Sequence, residues 1–320
     1  MYSIIIPIYK SEPYIPLLIQ EFTHLSEEIK RSFGIDSEFI FVVDGSPDQS
    51  YERLCELLPA AEFRSQVILH ARNFGSFVAI RTGLEAGRGK YFAVISADLQ
   101  EPPSLLIDFL SVLVTGEHDI AVGVRSSRKD PMASKAMSAL FWRVYRKLIM
   151  PEMPAGGVDI FGCSRRIRDL LAGMHEAHSS LVGQLYWVGY RRKEIGYARR
   201  KREIGKSSWS FKKKVNYLLD SVFAFTDLPI KILTFVGFFG TIAAIVVGLI
   251  VFTLRIAHFI EVPGYTPTVL IEAFFGGLNM LGIGLIGSYT WRAFENTKQR
   301  PLSTIQETHV FEAHRRKPVP

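Results

Sequence analysis

Short apolar runs alternate with segments of helical periodicity over the first 150 residues of the chain. The apolar runs are rich in Ile, Val and Phe and occupy residues 3–8, 38–43, 67–69, 91–96 and 119–124. Apolar residues recur at helical spacing between them, in residues 16–33, 50–58, 75–86, 103–114 and 134–149. Alternation of this kind is typical of βαβ units. We therefore predict an α/β fold with a Rossmann-like, mostly parallel sheet that helices cover on both faces.

Two longer apolar stretches follow, at about residues 232–254 and 271–291. An α-helix rises about 1.5 Å per residue and the hydrocarbon core of a bilayer is about 30 Å thick, so each stretch is long enough to cross it. The pair predicts a transmembrane hairpin over residues 228–294. The alternative is two buried helices of a large soluble core, although such helices rarely run so far with so few charges.

Residues 209–227, directly before the first of these stretches, predict an amphipathic helix. Its apolar face carries Phe211, Val215, Leu218, Val222 and Phe225. A basic amphipathic helix before a membrane span is expected to lie in the plane of the interface, and packing against the α/β domain is the alternative. The predicted organisation is a domain at residues 1–208, this helix, the hairpin, and an irregular tail at residues 295–320 that contains several prolines.

The chain carries a formal net charge of +7, and the excess of cations is local. It lies just before the first long apolar stretch, in residues 191–214, and just after the second, in residues 298–317. Positive residues favour the cytoplasmic side of a bilayer, so we expect an inner-membrane protein whose α/β domain and termini are cytoplasmic. Basic clusters beside spans favour anionic lipid or phosphate ligands. Since no groove-entering element with base-reading side chains occurs, a nucleic-acid partner is not expected.

Charged residues follow three of the predicted strands. The second strand runs into DGSPD at residues 44–48, the fourth into SADLQEPP at residues 96–103, and the fifth into GVRSSR at residues 123–128. Ligands of open parallel sheets bind beyond the carboxyl ends of the strands, so these groups are expected to meet at one edge. Carboxylates beside arginines suit a diphosphate that is bound through a divalent cation. DGSPD by itself is also a common turn.

Seven motifs in order along the chain resemble those of a known family. They are IIIPIY, DGSPDQS, ARNFGSFVAIRTGL, ADLQEPP, VGVRSSR, GGVDIFGCSRR and REIGKSSWSF, between residues 4 and 211. With the apolar stretches behind them, the chain resembles family 2 glycosyltransferases of the polyisoprenyl-phosphate type, which include dolichol-phosphate mannose synthase and undecaprenyl-phosphate sugar transferases. The resemblance implies a GT-A fold, a nucleotide-sugar donor, Mg²⁺ or Mn²⁺ as cofactor, a polyprenyl phosphate acceptor in the membrane, inversion at the anomeric carbon, and a homo-oligomer.

The resemblance also implies which residues bind the donor. Those that would line its nucleoside pocket or hold its diphosphate are Pro7, Tyr9, Asp44, Ser96, Arg202, Lys206 and Ser207. A turn-capping role is the alternative for Asp44. Asp98 and Gln100 would bind the cation, and Ser96 occupies a position where the family usually has an aspartate. Because one carboxylate, neutral oxygens, water and the donor phosphates can hold Mg²⁺, the missing charge is expected to weaken this site without abolishing it.

Residues further along the chain would serve the acceptor and the reaction. Those implied to bind the acceptor phosphate are Arg125, Arg128, Lys135 and Ser138, and a solvated basic face is the alternative. Arginine suits this role because its guanidinium can bond two phosphate oxygens at once. Asp159 would lie beside the reacting sugar, and a buried carboxylate that caps a turn is the alternative. The implied catalytic residues are thus Asp98, Asp159 and Arg125.

These features favour an inverting glycosyltransferase that makes a polyprenyl-phosphate-linked sugar for cell-envelope glycans at the cytoplasmic leaflet. A processive polysaccharide synthase would carry a Gln-x-x-Arg-Trp motif, which the sequence lacks. The remaining alternative is a membrane-tethered scaffold with a degenerate, non-catalytic domain, and Ser96 is the argument for it. The intact Asp98, Gln100, Arg125 and Asp159 argue against it.

Overall fold

An eight-stranded sheet organises the first 200 residues and one later strand in the computed structural model. The structure describes residues 1–127, 132–154, 156–158, 160–176, 179–200, 211–257 and 264–314. The strands are β1 (Tyr2–Ile8), β2 (Ser37–Val43), β3 (Arg64–His70), β4 (Tyr91–Val94), β5 (Ile120–Ser127), β6 (Phe161–Ser164), β7 (Arg192–Ala198) and β8 (Ile305–Phe311). The helices are α1 (Ile15–Phe33), α2 (Ser50–Leu57), α3 (Ser76–Ala86), α4 (Ser104–Val114), α5 (Met132–Leu148), α6 (Arg165–Ala172), α7 (Leu181–Trp187), α8 (Phe211–Phe225), α9 (Leu228–Ile256) and α10 (Tyr265–Thr297).

The strands follow the spatial order β7-β5-β6-β4-β1-β2-β3-β8. The pairs of β1 with β2, β1 with β4, β2 with β3, and β5 with β7 are parallel. β6 runs antiparallel to β4 and β5, and β8 runs antiparallel to β3. The predicted α/β fold with a mostly parallel sheet is therefore confirmed. Because β6 is reversed, the start of this strand lies at the same edge as the ends of β4 and β5.

β1 lies at the centre of the sheet because its side chains are apolar on both faces. Ile4 and Ile6 pack into one core together with Phe22 of α1, whereas Ile5 packs into the core on the opposite face. Side chains alternate along a strand, so an unbroken apolar run is buried only when both faces are covered. On the second face α3 approaches β1 closely at Gly83, where a Cβ would lie 2.4 Å from Ile5 Cγ2.

α8 packs its apolar face against the α/β domain. Leu218, Val222 and Phe225 contact the core beneath α3, α5 and α7. Tyr217 stacks on Tyr145 of α5, with ring centroids 6.0 Å apart. The predicted amphipathic helix does form, and these side chains pack against the domain as the alternative expects, while a position in the membrane interface plane stays a prediction. The aromatic surface of α5 is the physical reason for this packing, since it offers the stripe a large apolar partner.

Two long helices follow α8. Among the described residues, Leu228–Leu254 is the one helical segment long and apolar enough to cross a membrane, and its most apolar part is not buried. α10 is longer and on average less apolar than α9, and its sequence includes Glu272, Asn279 and polar residues from Ser288 onward. In the part of the chain that the structure describes, the expectation of two spans is met by α9 alone.

α9 and α10 nevertheless contact each other as an antiparallel pair. A Cβ on Gly282 of α10 would lie 3.5 Å from Leu233 Cδ1, near the start of α9. Further along α9, a Cβ on Gly240 would lie 3.8 Å from Phe275 Cε1 of α10. Since the contact moves towards the start of α10 as it moves along α9, the two helices run in opposite directions side by side.

The chain after α10 forms a strand, so the prediction of an irregular tail is wrong for this part. β8 pairs antiparallel with β3. The hydroxyl of Tyr51 on α2 donates a hydrogen bond to Glu307 of β8. Beyond the strand, His314 N donates to Ala61 O at 2.9 Å. Without β8, β3 would expose an unpaired edge, and covering that edge satisfies its backbone groups.

Candidate active site

Turns with positive φ mark one edge of the sheet. A residue shortly after each of the neighbouring strands β4, β1, β2 and β3 has a positive φ, namely Leu99 at 51°, Lys10 at 53°, Gly45 at 54° and Gly75 at 98°. This backbone conformation is costly for residues other than glycine, so Lys10 and Leu99 are strained. Leu99 is held there by its side chain, which is 6% exposed in the core. Strained residues concentrate at functional sites, and several predicted donor residues lie at this edge.

Pro7 and Tyr9 lie at the end of β1. Pro7 pairs with β2, but the pairing of β1 with β4 has already ended at Ile5, so its missing N–H costs no bond to β4. The side chain of Tyr9 is 41% exposed. Lys10 N donates a hydrogen bond to Ser46 Oγ at 2.7 Å, which joins the turns after β1 and β2. The structure thus brings both predicted residues to the edge where DGSPD begins.

The carboxylate of Asp44 is already bonded within the protein. It is 3% exposed and accepts hydrogen bonds from Phe74 N at 2.9 Å, Gly75 N at 2.8 Å and His70 Nδ1 at 2.9 Å. Because Phe74 and Gly75 directly precede α3, Asp44 caps the positive end of that helix. Two of these bonds end on Oδ1 and one on Oδ2, which leaves an acceptor position on Oδ2. These are the contacts of the turn-capping alternative, and the nucleoside contact that we predict for Asp44 is limited to that position.

The turn after β2 fits tightly against the turn after β3. Asn73 Nδ2 donates a hydrogen bond to Asp44 O at 3.1 Å. A Cβ on Gly45 would lie 2.3 Å from Arg72 C and 2.4 Å from Asn73 N. Glycine is therefore required here both for the positive φ and for the close approach of the two backbones. The two turns behave as one unit at the edge of the sheet.

Asp48 organises the rest of the DGSPD turn. Its carboxylate accepts hydrogen bonds from Ser46 Oγ at 2.6 Å, Ser50 Oγ at 2.7 Å and Glu12 N at 3.2 Å. Burial alone would raise the pKa of Asp48, but these hydrogen bonds outweigh burial and lower its pKa below the ordinary value. Asp48 therefore has a structural role that joins the start of α2 to the segment after β1.

We expect acid to remove the stabilisation that Asp48 provides. Because its pKa is lower in the folded than in the unfolded chain, the stabilisation is complete above the unfolded value of about 3.9. It is lost as the pH falls through the folded value. The free energy of unfolding, measured over roughly pH 2–6, should therefore show wild type more stable than Asp48→Asn at the upper end and a narrowing gap below about pH 4. A gap that stays constant over this range would contradict the assignment.

The turn after β4 carries Ser96, Asp98 and Gln100. Ser96 Oγ donates a hydrogen bond to the carboxylate of Glu101, which is completely buried. Asp98 is partly exposed, and its Oδ1 accepts a hydrogen bond from Gln100 N at 3.3 Å. Position 96 thus has a hydroxyl where the family usually has an aspartate, and the nearest carboxylate is that of Glu101.

Gln100 connects this turn to the end of β7. Its Oε1 accepts a hydrogen bond from Arg199 Nη2 at 2.7 Å, and its Nε2 donates to Arg200 O at 3.3 Å. Arg200 N donates to Gln100 O at 2.8 Å, and Arg199 Nε lies 3.5 Å from Glu101 Oε1. The turn after β4 thus reaches across the ends of β6 and β5 and is fastened to the segment that leads into residues 201–210.

Comparison of the sequence with known proteins identifies the family of the chain. The sequence matches the model of Glycosyl transferase family 2 over residues 3–169, just over half of the 320 residues. It is also 31% identical over 308 residues to the glycosyltransferase CsbB of Bacillus subtilis, an alignment that covers 96% of this chain and 92% of CsbB. The chain belongs to glycosyl transferase family 2.

More distant relatives of this glycosyltransferase have names that state an acceptor. It is 27% identical over 308 residues to the prophage bactoprenol glucosyl transferase homolog of Escherichia coli, covering 95% of this chain and 98% of that one. It is equally similar to undecaprenyl-phosphate 4-deoxy-4-formamido-L-arabinose transferase of Pectobacterium carotovorum, at 27% identity and with 96% and 93% coverage. Among solved structures, one similar structure is that of glucosyl-3-phosphoglycerate synthase of Mycobacterium tuberculosis with Mn²⁺ and UDP-glucose. The aligned region covers 69% of this chain and 78% of that protein, at 16% identity and a TM-score of 0.49.

The end of β4 fits a cation that takes most of its ligands from a bound donor. Among the residues that the structure describes, no three His, Cys, Asp or Glu side chains form a metal cage. Mg²⁺ is commonly held by one or two carboxylates together with substrate phosphates and water, which the partly exposed Asp98 can satisfy. Gln100 Oε1 has two lone pairs, of which the bond from Arg199 uses one. The side chains present in this glycosyltransferase therefore suit the predicted Mg²⁺ or Mn²⁺.

Of the residues predicted to bind the acceptor phosphate, the structure describes the side chain of Arg125. Arg125 lies on β5, is partly buried, and pairs with Tyr197 of β7 next to an irregularity in the ladder. Arg199 follows the same strand β7, so the two arginines lie at the ends of neighbouring strands. The predicted residues outside the described part of the chain are Arg128, Asp159, Arg202, Lys206 and Ser207, and the side chains of Lys135 and Ser138 on α5 are outside it as well.

Three residues at this edge escaped prediction from the sequence. His70 bonds Asp44, but nothing in the spacing of the eight histidines distinguishes it from the others. Glu101 lies inside the ADLQEPP motif, and the only hint of its role in the sequence was the serine at position 96, to which it is bonded in the structure. Arg199 is one of many cations before α8, and only the fold brings it to Gln100. All three depend on contacts between distant segments.

Proposed function

We propose that this glycosyltransferase moves a sugar from a nucleotide-sugar donor to a polyprenyl phosphate, with inversion at the anomeric carbon, at the cytoplasmic leaflet of the inner membrane. The observation that carries the proposal is the extent of the similarity to acceptor-named relatives. It covers 95–96% of this chain and so includes the long helices as well as the α/β domain. A relative that shared only the donor chemistry would not need to match α9 and α10.

The long helices support a membrane location. α9 is long and apolar enough to cross a bilayer and leaves its apolar side chains exposed, as a lipid-facing helix would. At the end of α10, Lys298 Nζ lies 4.4 Å from the ring centroid of Phe294 and 5.0 Å from that of Trp291. Aromatic rings and cations of this kind concentrate at the boundary between lipid and water. With α10 antiparallel to α9, the proposal is a hairpin whose two ends meet the α/β domain on the cytoplasmic side.

The reaction asks for positioning and charge stabilisation more than for proton transfer. An ionised phosphate is itself a nucleophile, so a general base is not required to activate a polyprenyl phosphate. Arg125 would hold that phosphate with two hydrogen bonds, and Asp159 would orient the sugar. Asp98 and Gln100 would hold the Mg²⁺ or Mn²⁺, which neutralises the diphosphate of the leaving group. Arg199 and Arg200 fasten this turn to the segment containing Arg202, Lys206 and Ser207, which would close over the diphosphate.

A donor panel tests the proposal and identifies the sugar. Membranes containing the full-length chain are supplied with undecaprenyl phosphate, Mg²⁺ and a set of radiolabelled nucleotide sugars. We expect one donor to give a labelled, lipid-extractable product, and we expect Arg125→Ala to abolish it. The matched control is Arg53→Ala, which removes an exposed arginine of α2 that pairs only with Glu56 among its described ion-pair partners.

A negative result must be separated from a degenerate site. Ser96→Asp alone would place a second carboxylate against the buried Glu101, and like charges at this distance destabilise each other. The informative variant is therefore Ser96→Asp combined with Glu101→Gln. If no donor gives a lipid-linked product with wild type or with the double variant, the chain is better explained as a non-catalytic scaffold, and the proposed function is overturned.

A further inference from the structure

Four polar side chains form a continuous hydrogen-bonded line that ends at Asp44. His70 Nδ1 lies 2.9 Å from Asp44 Oδ1, and His70 Nε2 lies 3.0 Å from Thr82 Oγ1 on α3. Thr82 Oγ1 in turn lies 3.0 Å from Ser303 Oγ. Asp44, His70 and Thr82 are each less than 5% exposed. The line therefore runs through the protein interior from the donor edge to the segment that follows α10.

The protons can be arranged along this line so that each group is satisfied once. In one such arrangement, His70 donates from Nδ1 to the Asp44 carboxylate and accepts at Nε2. The single proton of the Thr82 hydroxyl can go to His70 Nε2 at 3.0 Å or to Val78 O at 3.2 Å, and this arrangement assigns it to His70. Ser303 then donates to Thr82. In this arrangement every donor along the line points towards Asp44.

The segment after α10 is fixed in register with this line. β8 pairs with β3 so that Ile305 lies opposite His70. Ala71 N donates a hydrogen bond to Thr304 O at 2.9 Å, next to Ser303. Only a few residues separate Ser303 from the end of α10 at Thr297. The chain thus returns from the long helices directly to the edge of the sheet where the donor is proposed to bind.

We propose that His70 is a positioning residue of the donor site and that the segment after α10 sets its orientation through Ser303 and Thr82. Asp44 holds the N–H groups of Phe74 and Gly75, and with them the turn that packs on Gly45. If the hydrogen bond between Thr82 and His70 is lost, His70 is less well oriented towards Asp44. The Asp44 carboxylate then loses one of its described partners, and the turn before α3 becomes looser. The segment that follows the long helices and the proposed donor edge are thereby linked through one line of hydrogen bonds, which is buried from Thr82 to Asp44. This inference rests on the proposed function only in placing the nucleotide at this edge.

Thr82→Val tests the inference with little change in volume. We measure two quantities in the full-length chain, namely hydrogen exchange of the backbone amides in residues 71–77 and the dissociation constants of UDP and GDP with Mg²⁺. We expect exchange about ten-fold faster and nucleotide binding about ten-fold weaker, the factor associated with one hydrogen bond in a charged network. Thr82→Ser keeps the hydroxyl and should restore both values.

The matched control is Thr23→Val on α1. Thr23 bonds the carbonyl of the residue four positions earlier, Ile19, in the same way that Thr82 can bond Val78, but it has no described bond to a histidine. It should change neither quantity. If Thr82→Val fails to fold, Ser303→Ala removes only the outer link and should raise exchange about three-fold.

The outcomes separate the inference from the proposed function. Exchange in residues 71–77 that is the same in Thr82→Val and Thr23→Val, with both folded, overturns the positioning role of His70. If wild type binds neither nucleotide while exchange responds to Thr82→Val as expected, the line of hydrogen bonds positions the turn and the donor assignment is the part that fails.

Discussion

Asp98→Ala is expected to abolish metal-dependent binding of the nucleotide and to reduce sugar transfer by about 10²–10³-fold, the usual cost of losing a group that stabilises charge in the transition state. Asp98 is the partly exposed carboxylate of the turn after β4. Ser96 provides a hydroxyl where the family usually has a second carboxylate, and Glu101 is buried beside Arg199. No neighbouring side chain in the described part of the turn is placed to replace the lost charge.

Calorimetry with UDP and GDP, with and without Mg²⁺ or Mn²⁺, measures this effect apart from turnover. The control is Asp36→Ala, because Asp36 directly precedes β2, at the opposite edge of the sheet, and its side chain is 75% exposed. It should bind nucleotide as wild type does. An Asp98→Ala protein that still binds nucleotide in a metal-dependent way would remove Asp98 from the cation site.

Gly45→Ala is expected to lower the free energy of unfolding by about 2–5 kcal/mol and to weaken nucleotide binding. Two costs add at this position. A left-handed φ costs a residue with a Cβ about 1–2 kcal/mol, and overpacking against atoms that do not yield costs about 1–3 kcal/mol. The atoms in question are the backbone of Arg72 and Asn73, which the added methyl group would meet at 2.3–2.4 Å. To relieve this contact, the turn after β2 and the turn after β3 would have to move apart, and both contact Asp44.

Gly34→Ala isolates the first of these costs. Gly34 has a φ of 66°, close to the 54° of Gly45, but a Cβ there would have nothing within 4 Å. Chemical denaturation followed by circular dichroism should therefore show a loss of about 1–2 kcal/mol for Gly34→Ala and clearly more for Gly45→Ala. Equal losses for the two variants would mean that the turn after β3 moves aside freely, and the tight coupling of the two turns would be wrong.

Over the first 150 residues, the order and type of the elements follow from local sequence, and there prediction and structure agree. Ile4, Ile5 and Ile6 form a run without polar interruption, and a strand of that composition needs cover on both faces. The turns that end β2 and β4 were expected to share one edge because parallel strands end together, and both do. The hydrophobic pattern was sufficient to predict these strands and turns because each of them depends on residues that are near neighbours in the chain.

Elements whose sequence allows two environments were predicted less well. α8 has an apolar stripe that suits either a lipid surface or a protein surface, and its contact with Tyr145 of α5 could not be read from the stripe alone. β8 contains few strongly apolar residues, so its sequence alone does not mark a strand, and it forms because β3 has a free edge. α10 was expected to match α9 as a span, but it is on average less apolar, and in the described residues only α9 meets the length and composition of a span.

The sequence by itself determined the α/β fold, the edge of the sheet where the candidate site lies, the family, and Asp98 and Gln100 as candidate cation ligands. Only the tertiary structure decided that Asp44 is capped by the turn before α3, that Gln100 is bonded to Arg199, and that Ser303 reaches His70. The physical reason is the distance along the chain. Motifs and periodicity report how a residue relates to its near neighbours, whereas hydrogen bonds between strand ends and the terminal segment exist only after the sheet has brought them together.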